Sequence, residues 1–193
     1  MQSEVFMDRI SRYLAWLAGA IILLGCALPI TIDVLSRFFL GHTVVESFEI
    51  SGFALAASIG LGMGYTVSTK ANIRVDFLVA KLPRRVRWAL DLLAALSLAA
   101  LAVALAWFSY TVLAQSWAVG AKSQSTLQIP MFLPQGFWSI GLVWFATVAV
   151  LTPLFAIVRL LKGDEDGFAR ALATADLADE MSQIGMHEKG RTP

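Results

Sequence analysis

The fold is decided by a stretch without a single charged side chain, residues 92–121, which read LLAALSLAALAVALAWFSYTVLAQSWAVGA. Three further segments, at 13–32, 50–69 and 123–158, also lack Asp, Glu, Lys and Arg. Each segment reaches the roughly 20 residues that an α-helix needs to cross the hydrocarbon core of a bilayer. Because a backbone in lipid must satisfy its own hydrogen bonds, these segments are predicted to be helices. We therefore predict an all-α membrane protein with four transmembrane helices.

The composition excludes several kinds of function. The chain is 58% hydrophobic and 15% charged, and its net charge of +1 gives no bulk attraction to nucleic acid. The single cysteine, Cys26, cannot form an internal disulfide, and the two histidines, His42 and His187, do not face each other within the membrane. A bis-histidine haem anchor is therefore not expected, and no metal-binding spacing is present. We predict no catalytic residue, no cofactor and no metal site, so the protein is not expected to be an enzyme.

Two regions are predicted from the positions of the charges. Residues 1–163 should form the four-helix transmembrane domain, with helices at about 13–35, 45–69, 85–117 and 135–161. Between helices 2 and 3, residues 73–82 mix apolar and charged side chains and should form a short amphipathic segment on the membrane surface. Residues 164–193 should form a cytoplasmic tail that begins with a short amphipathic helix around Phe168 and Leu172 and then becomes disordered.

The distribution of Lys and Arg predicts the orientation. The first and third connections carry one basic residue each, Arg37 and Lys122. The remaining basic residues near the helix ends lie on the opposite side: Arg9, Arg12, Lys70, Arg74, Lys81, Arg84, Arg85, Arg87, Arg159, Lys162 and Arg170. The positive-inside rule therefore places both termini and the second connection in the cytoplasm of a bacterial cell, with the protein in the inner membrane.

Polar residues near the helix ends are candidates for ion pairs and for contacts with other proteins. Asp33 and Arg37 are spaced to pair on one helix face, and so are Arg87 and Asp91. Acidic residues in the first turns of the second helix complement the helix dipole. Together with a polar pair in the third connection, they also form a hypothetical surface for a partner: Glu46, Glu49, Ser125 and Thr126.

The second helix also carries small residues at intervals of four, Gly52, Ala56, Gly60 and Gly64. Small residues at this spacing let the backbone of another helix approach closely. We predict that this ridge contacts another helix, either in this chain or in a partner protein.

Four elements in order resemble the small membrane subunit of tripartite ATP-independent periplasmic (TRAP) transporters, the DctQ type. They are the segment from Asp33 to Phe38, the acidic pair Glu46 and Glu49, the loop at 70–76 followed by Leu82 and Pro83, and the loop at 125–131. In these loops the chain departs from the family pattern twice. Asn72 stands where a histidine is common, and Gln128 stands where a glycine is common.

The resemblance implies a scaffold role. Such a subunit braces a large permease subunit that carries substrate and sodium, and it contributes to docking of a soluble periplasmic binding protein. Its partners would be these two proteins and membrane lipids, and the cargo would be small organic acids taken up with sodium. The substrate itself is chosen by the binding protein.

Three other functions are weighed at this stage. A membrane anchor subunit of a redox complex predicts an intramembrane histidine, and a small stand-alone transporter predicts an acidic residue in the middle of a helix. A membrane enzyme predicts a convergent cluster of polar residues. None of these features is evident in the sequence, where Asp33 and Asp91 both lie near helix ends.

Overall fold

A computed structural model describes residues 2–70, 83–125 and 127–172, and all the main elements in these ranges are helices. In chain order they are α1 (Gln2–Ile22), a π-helical turn (Leu23–Ala27), α2 (Leu28–Leu40), α3 (Ser47–Ser68), α4 (Arg84–Ala118), α5 (Phe132–Leu161) and α6 (Glu165–Leu172). Four spans are long and apolar enough to cross a membrane: Phe6–Leu40, α3, α4 and α5. The prediction of an all-α membrane protein with four transmembrane helices is confirmed. The predicted amphipathic segment at 73–82 lies outside the described residues.

The first span contains a π-helical turn near its middle. Pro29 follows this turn as the second residue of α2, where it lacks the N–H of a normal helical residue and crowds the carbonyl four residues earlier. A π-helical turn widens the helix and relieves this conflict. Gly25 lies within the turn, where a Cβ atom would stand 2.5 Å from the Cβ of Ala54 on α3. The turn therefore lets the first span lie close against α3.

The first span also begins earlier than the sequence predicted, because residues 2–12 continue the helix despite their charges. Asp8 and Arg12 pair four residues apart at 2.9 Å on an outer face. A neighbouring face is packed: Ser11 is fully buried and its Oγ accepts a hydrogen bond of 3.1 Å from Nε1 of Trp144 on α5. Tertiary contact thus extends the helix beyond its apolar segment.

The four spans pack in a row rather than in a closed ring. The main contacts join the first span to α3, α3 to α5, and α5 to α4. In the most apolar window of each span, 39% of the residues of α3 and 44% of those of α5 are buried. In both the first span and α4, the buried share is 11%. The core lies between the two central helices and α4, and it includes Val67, Ala102, Leu142, Phe145 and Val148. Most residues in the apolar windows of the two outer spans are therefore at least partly exposed to their surroundings.

Glycine permits the closest approach in this row, where α3 crosses α5. A Cβ atom on Gly141 of α5 would stand 2.3 Å from the carbonyl carbon of Gly60. A Cβ on Gly60 would stand 2.9 Å from the carbonyl oxygen of Trp138, and one on Gly64 would stand 2.5 Å from the Trp144 ring. Since only a residue without a side chain fits at Gly141, the two backbones are in direct contact there.

A tight turn follows α5 and starts the short helix α6. Gly163 adopts a left-handed φ of 79°, a conformation that glycine tolerates at the end of a helix. Oδ1 of Asp164 then accepts a hydrogen bond of 2.8 Å from the N–H of Gly167, as an N-cap side chain does. The chain therefore reverses direction sharply instead of leaving the membrane domain.

The helix α6 packs against the ends of α4 and α5. Phe168 is 1% exposed and meets Trp88 of α4 in an edge-on arrangement with ring centroids 5.5 Å apart, above the buried Ala156 of α5. The guanidinium group of Arg84 lies over the Trp88 ring, 4.7 Å from its centroid. Nη2 of Arg84 is also 3.6 Å from Oε2 of Glu165 in α6. The beginning of the predicted tail is thus a docked helix, and residues 173–193 lie outside the described residues.

Candidate interface at the loop end

Residues 33–49 and 119–131 lie together where the helices end on one side of the membrane domain. We call this side the loop end. The end of α2, the start of α3, the end of α4 and the start of α5 meet there. The opposite end, formed by the starts of α1 and α4 and by α6, is called the tail end. Most of the sequence-predicted polar candidates belong to the loop end.

A buried carboxylate joins α2 to α3 at the loop end. The side chain of Asp33 is 6% exposed and accepts two hydrogen bonds from Arg37, at 2.8 Å from Nη2 and 3.1 Å from Nε. Oγ of Ser47, the first residue of α3, donates a third bond to Oδ2 at 2.7 Å. Nε of Arg37 is also 3.2 Å from Oγ1 of Thr43 in the connecting turn. Asp33 therefore holds the helix end, the turn and the next helix in one arrangement.

The two acidic residues at the start of α3 have different surroundings. Glu46 occupies the N-cap position and is exposed, one residue before the helix begins. Glu49 is half-buried in the first turn, and its Oε2 accepts a hydrogen bond from Oγ of Ser125 in the third connection. Glu49 therefore fastens the loop at 119–131 to α3, whereas Glu46 lies on the surface. Thr126 lies outside the described residues.

The loop at 119–131 is closed by its own backbone. The N–H of Ser123 donates to the carbonyl of Ile129 at 2.8 Å, and that of Met131 donates to the carbonyl of Ala121 at 2.9 Å. These bonds frame an isolated antiparallel bridge between Lys122 and Pro130. The loop thus forms a short hairpin-like structure at the membrane edge.

Gln128 closes the tip of this loop in a left-handed conformation. Its φ is 43°, and its N–H donates to the carbonyl of Ser125 at 3.2 Å. A positive φ is uncommon for a residue with a side chain, and glycine adopts it without steric cost. The structure therefore explains why a glycine suits this position: the chain keeps the turn before Pro130 but carries glutamine in a glycine-like conformation.

The small-residue ridge of α3 is divided between two environments. Gly60 and Gly64 are buried against α5, whereas Gly52 and Ala56 are exposed. A contact of the exposed pair with a partner stays a prediction. The second predicted ion pair, Arg87 with Asp91, lies in the first turns of α4 with both residues half-buried, and its pairing also stays a prediction.

Sequence reasoning missed several residues that make these contacts. The bond from Ser47 to Asp33 could not be predicted, because a serine at a helix start is common as a cap and the two residues are 14 positions apart. Gly141 carried a usable signal, since a glycine inside a helix costs about 0.5–1 kcal/mol relative to alanine and is retained where backbones meet. Phe168 was placed on an amphipathic helix, but its contact with Trp88 required the fold.

The polar groups described at the loop end fasten its helices and loop to one another. In the described part of the chain, no group of three or more His, Cys, Asp or Glu side chains could hold a metal ion. Intramembrane hydroxyls bond to backbone of the helices: Ser58 to Ala54 at 2.7 Å and Ser97 to Leu93 at 2.8 Å. The polar side chains described here thus already serve internal contacts.

The comparisons with known proteins agree with this picture. No curated protein and no solved structure matches the chain. A family model described as tripartite ATP-independent periplasmic transporters, DctQ component, matches residues 26–161, which is more than two thirds of the chain. The match begins within the π-helical turn, ends with α5, and includes both segments of the loop end. The family predicted from sequence is confirmed, and the chain belongs to the DctQ family of TRAP transporter components.

Proposed function

We propose that this chain is the small membrane subunit that braces the large permease subunit of a TRAP transporter and helps to dock its periplasmic binding protein, for sodium-coupled uptake of small organic acids. The single observation that carries this proposal is the family match, because DctQ proteins are transporter components and not enzymes. The permease and the binding protein are the proposed partners. Substrate and sodium would be carried by the permease.

The proposal that the chain braces a partner is supported by the open row of helices. Both outer spans bury only 11% of their most apolar window, so each offers a long apolar face to lipid or to another membrane protein. The centre of the row is rigid by contrast, since α3 and α5 touch through backbone at Gly60 and Gly141. A stiff layer with two apolar edges suits a static support against which another subunit moves.

A scaffold role is also supported by the position of the buried acid. Ionisable residues that conduct ions or protons usually lie deep in a membrane span and face a cavity. Asp33 instead lies near the end of the first span, and Arg37 and Ser47 already occupy its carboxylate. This arrangement favours a structural role over coupling to transport.

The loop end is proposed to be the periplasmic face that meets the binding protein. The excess of Lys and Arg at the opposite end favours cytoplasmic termini in the bacterial inner membrane. Within the loop end, exposed Glu46 is proposed to contact the binding protein directly. Glu49 and Ser125 are proposed to act indirectly, by holding the loop at 119–131 in place.

Reconstitution tests the proposed function as a whole. The full-length chain is co-expressed with the proposed permease and binding-protein partners, and the membrane complex is purified and placed in liposomes. We expect the two membrane proteins to purify together, and uptake of an organic acid to require the binding protein, the chain and a sodium gradient. Full uptake by permease and binding protein without this chain would contradict the bracing role.

Two substitutions separate direct docking from positioning. Glu46→Lys should raise the binding-protein concentration needed for half-maximal uptake, because it reverses a charge on the exposed surface of the loop end. Glu49→Gln should raise this concentration less, since the amide oxygen still accepts a bond from Ser125. Glu49→Ala removes the acceptor and should loosen the loop. Lys162→Glu, an exposed charge reversal at the tail end, is the matched control. Equal effects of Glu46→Lys and Lys162→Glu would show that the loop end has no special part in docking.

A further inference from the structure

An open groove lies on the outer side of α1 near the tail end, where the first span meets the end of α3. It encloses about 590 Å³, within the roughly 300–1,000 Å³ that small-molecule sites span. Its floor is made by Ala15, Gly19 and Ala20, and Tyr65 of α3 forms part of its wall. A Cβ atom on Gly19 would meet nothing within 4 Å. The groove is therefore an apolar recess that the chain's own side chains leave unfilled.

The groove opens into a polar mouth of about 400 Å³. The two spaces share Arg12 and Trp16, and the mouth is completed by Asp8, Arg9 and Tyr13. Among the described residues of the mouth, two guanidinium groups face one carboxylate and leave a net positive charge. Nη2 of Arg12 bonds to Asp8 at 2.9 Å, which fixes its guanidinium at the mouth and leaves further N–H donors of its planar fork for a ligand.

The aromatic residues set the depth of this mouth in the bilayer. Trp16 is 76% exposed and Tyr13 is 70% exposed. In the sequence, both follow Arg9 and Arg12 within a few residues, on the side of the apolar segment. Exposed Trp and Tyr next to basic residues mark the headgroup level of a membrane. The mouth thus lies among the headgroups, and the groove beside Gly19 and Leu23 extends into the hydrocarbon.

We propose that this groove binds one anionic phospholipid, with its phosphate at Arg9 and Arg12 and an acyl chain along Ala15, Gly19 and Ala20. The match of charge and depth favours a lipid over a helix of another protein, because an apolar helix laid over the mouth would bury two guanidinium groups with only the Asp8 carboxylate to balance them, which is costly. A phosphate satisfies them, and an acyl chain fills the recess. The proposal depends on the depth of α1 and does not depend on the roles proposed for the loop end.

The test measures phospholipid binding by the full-length chain, purified in mild detergent and stripped of lipid. Phosphatidylglycerol and phosphatidylcholine with identical acyl chains are titrated, and bound lipid is counted by native mass spectrometry. We expect one phosphatidylglycerol to bind in preference to phosphatidylcholine. Arg9→Gln and Arg12→Gln should each weaken its binding by about fivefold, the factor for roughly 1 kcal/mol per basic residue at a membrane surface. Arg85→Gln, an exposed arginine at the same end but outside the groove, should leave binding unchanged.

A second pair of variants tests the groove separately from the charges. Gly19→Leu should fill the recess and abolish preferential binding without disturbing the fold, because the Cβ position is open. Gly136→Leu places the same side chain at an open position on α5 near the loop end and should bind phosphatidylglycerol like the unaltered chain. Equal affinity for the two lipids, unchanged binding by Gly19→Leu, or equal weakening by Arg85→Gln would each overturn the proposal.

Discussion

The contact between α3 and α5 makes a quantitative prediction for Gly141→Ala. The added methyl group would stand 2.3 Å from the carbonyl carbon of Gly60 and 2.5 Å from the backbone nitrogen of Leu61, whereas ordinary contacts begin at 3.4 Å. These neighbours are backbone atoms of a helix, so no side chain can rotate away. The helices must move apart by about 1 Å, which weakens the packing of neighbouring side chains along the crossing.

The expected cost follows from two opposing effects. Overpacking of a well-packed core usually costs about 1–3 kcal/mol. Alanine in place of a helical glycine returns about 0.5–1 kcal/mol, because the unfolded chain loses freedom. Gly136→Ala on the same helix receives this gain without a clash, since its Cβ would meet nothing within 4 Å. The difference in unfolding free energy between the two variants should therefore be about 1–3 kcal/mol, with Gly141→Ala the less stable.

Unfolding in mixed micelles measures this difference, with helical circular dichroism followed against the fraction of denaturing detergent. Gly60→Ala should fall between the other two variants, because its Cβ would approach Trp138 only to 2.9 Å. The order of stability should be Gly136→Ala, then Gly60→Ala, then Gly141→Ala. Equal stability of Gly136→Ala and Gly141→Ala would refute the direct backbone contact.

Three other substitutions test the remaining contacts. Phe168→Ala should release α6, since truncating a buried Phe costs about 3–5 kcal/mol, and trypsin should then cut faster after Arg170; an unchanged rate would contradict the docking. Asp33→Asn should lower the unfolding free energy by about 1.5–3 kcal/mol. A double-mutant cycle with Ser47→Ala should show that the two losses are coupled. Additive losses would mean that the two side chains act separately. Gln128→Gly should raise the unfolding free energy by about 1 kcal/mol, because a left-handed residue with a side chain is strained by roughly 1–2 kcal/mol, and Gln128→Val should lower it; the opposite order would exclude the left-handed turn.

The spans themselves could be predicted because length and lack of charge are sufficient physical criteria in a membrane. The predicted third helix, 85–117, differs from α4 by one residue at each end. The start of α5 was placed three residues late, because Pro134 resembles a helix break but is tolerated in the first turn, where its missing N–H is not needed. The start of α1 was placed late because residues 2–12 carry charges, and the contact of Ser11 with Trp144 of α5 cannot be read from the sequence.

The arrangement of the spans could not be predicted, since helices that are apolar on all sides carry no periodic pattern to show which face is packed. The ridge of α3 illustrates the limit. Residues four apart drift by about 40° around a helix at each step, so Gly52 and Gly64 lie about 120° apart. One neighbouring helix therefore contacts only part of such a ridge, as α5 contacts Gly60 and Gly64. The division between buried and exposed members depends on where the neighbour crosses.

The polar contacts join the helices of the open row at both of their ends. A row lacks the mutual support of a closed ring, so each outer span could swing about its apolar contact with the centre. The first span is fastened to the central helices at the loop end by Asp33 and Ser47, and at the tail end by Ser11 and Trp144. The span α4 is fastened through its following loop by the bond from Ser125 to Glu49.

The fourth fastening is the docking of α6 on α4, through Phe168 and Trp88. This last contact lies beyond residues 26–161, the part that matches the family model. Each outer span is thus held at both of its ends, which we call the four corners of the row, by contacts at the membrane edges. Polar bonds can form there without a mid-membrane desolvation cost. In the middle of the membrane domain, close packing of small residues holds the helices together. Loosening one corner should leave the spans inserted but let one outer span move, so that the bracing proposed above would fail before assembly does.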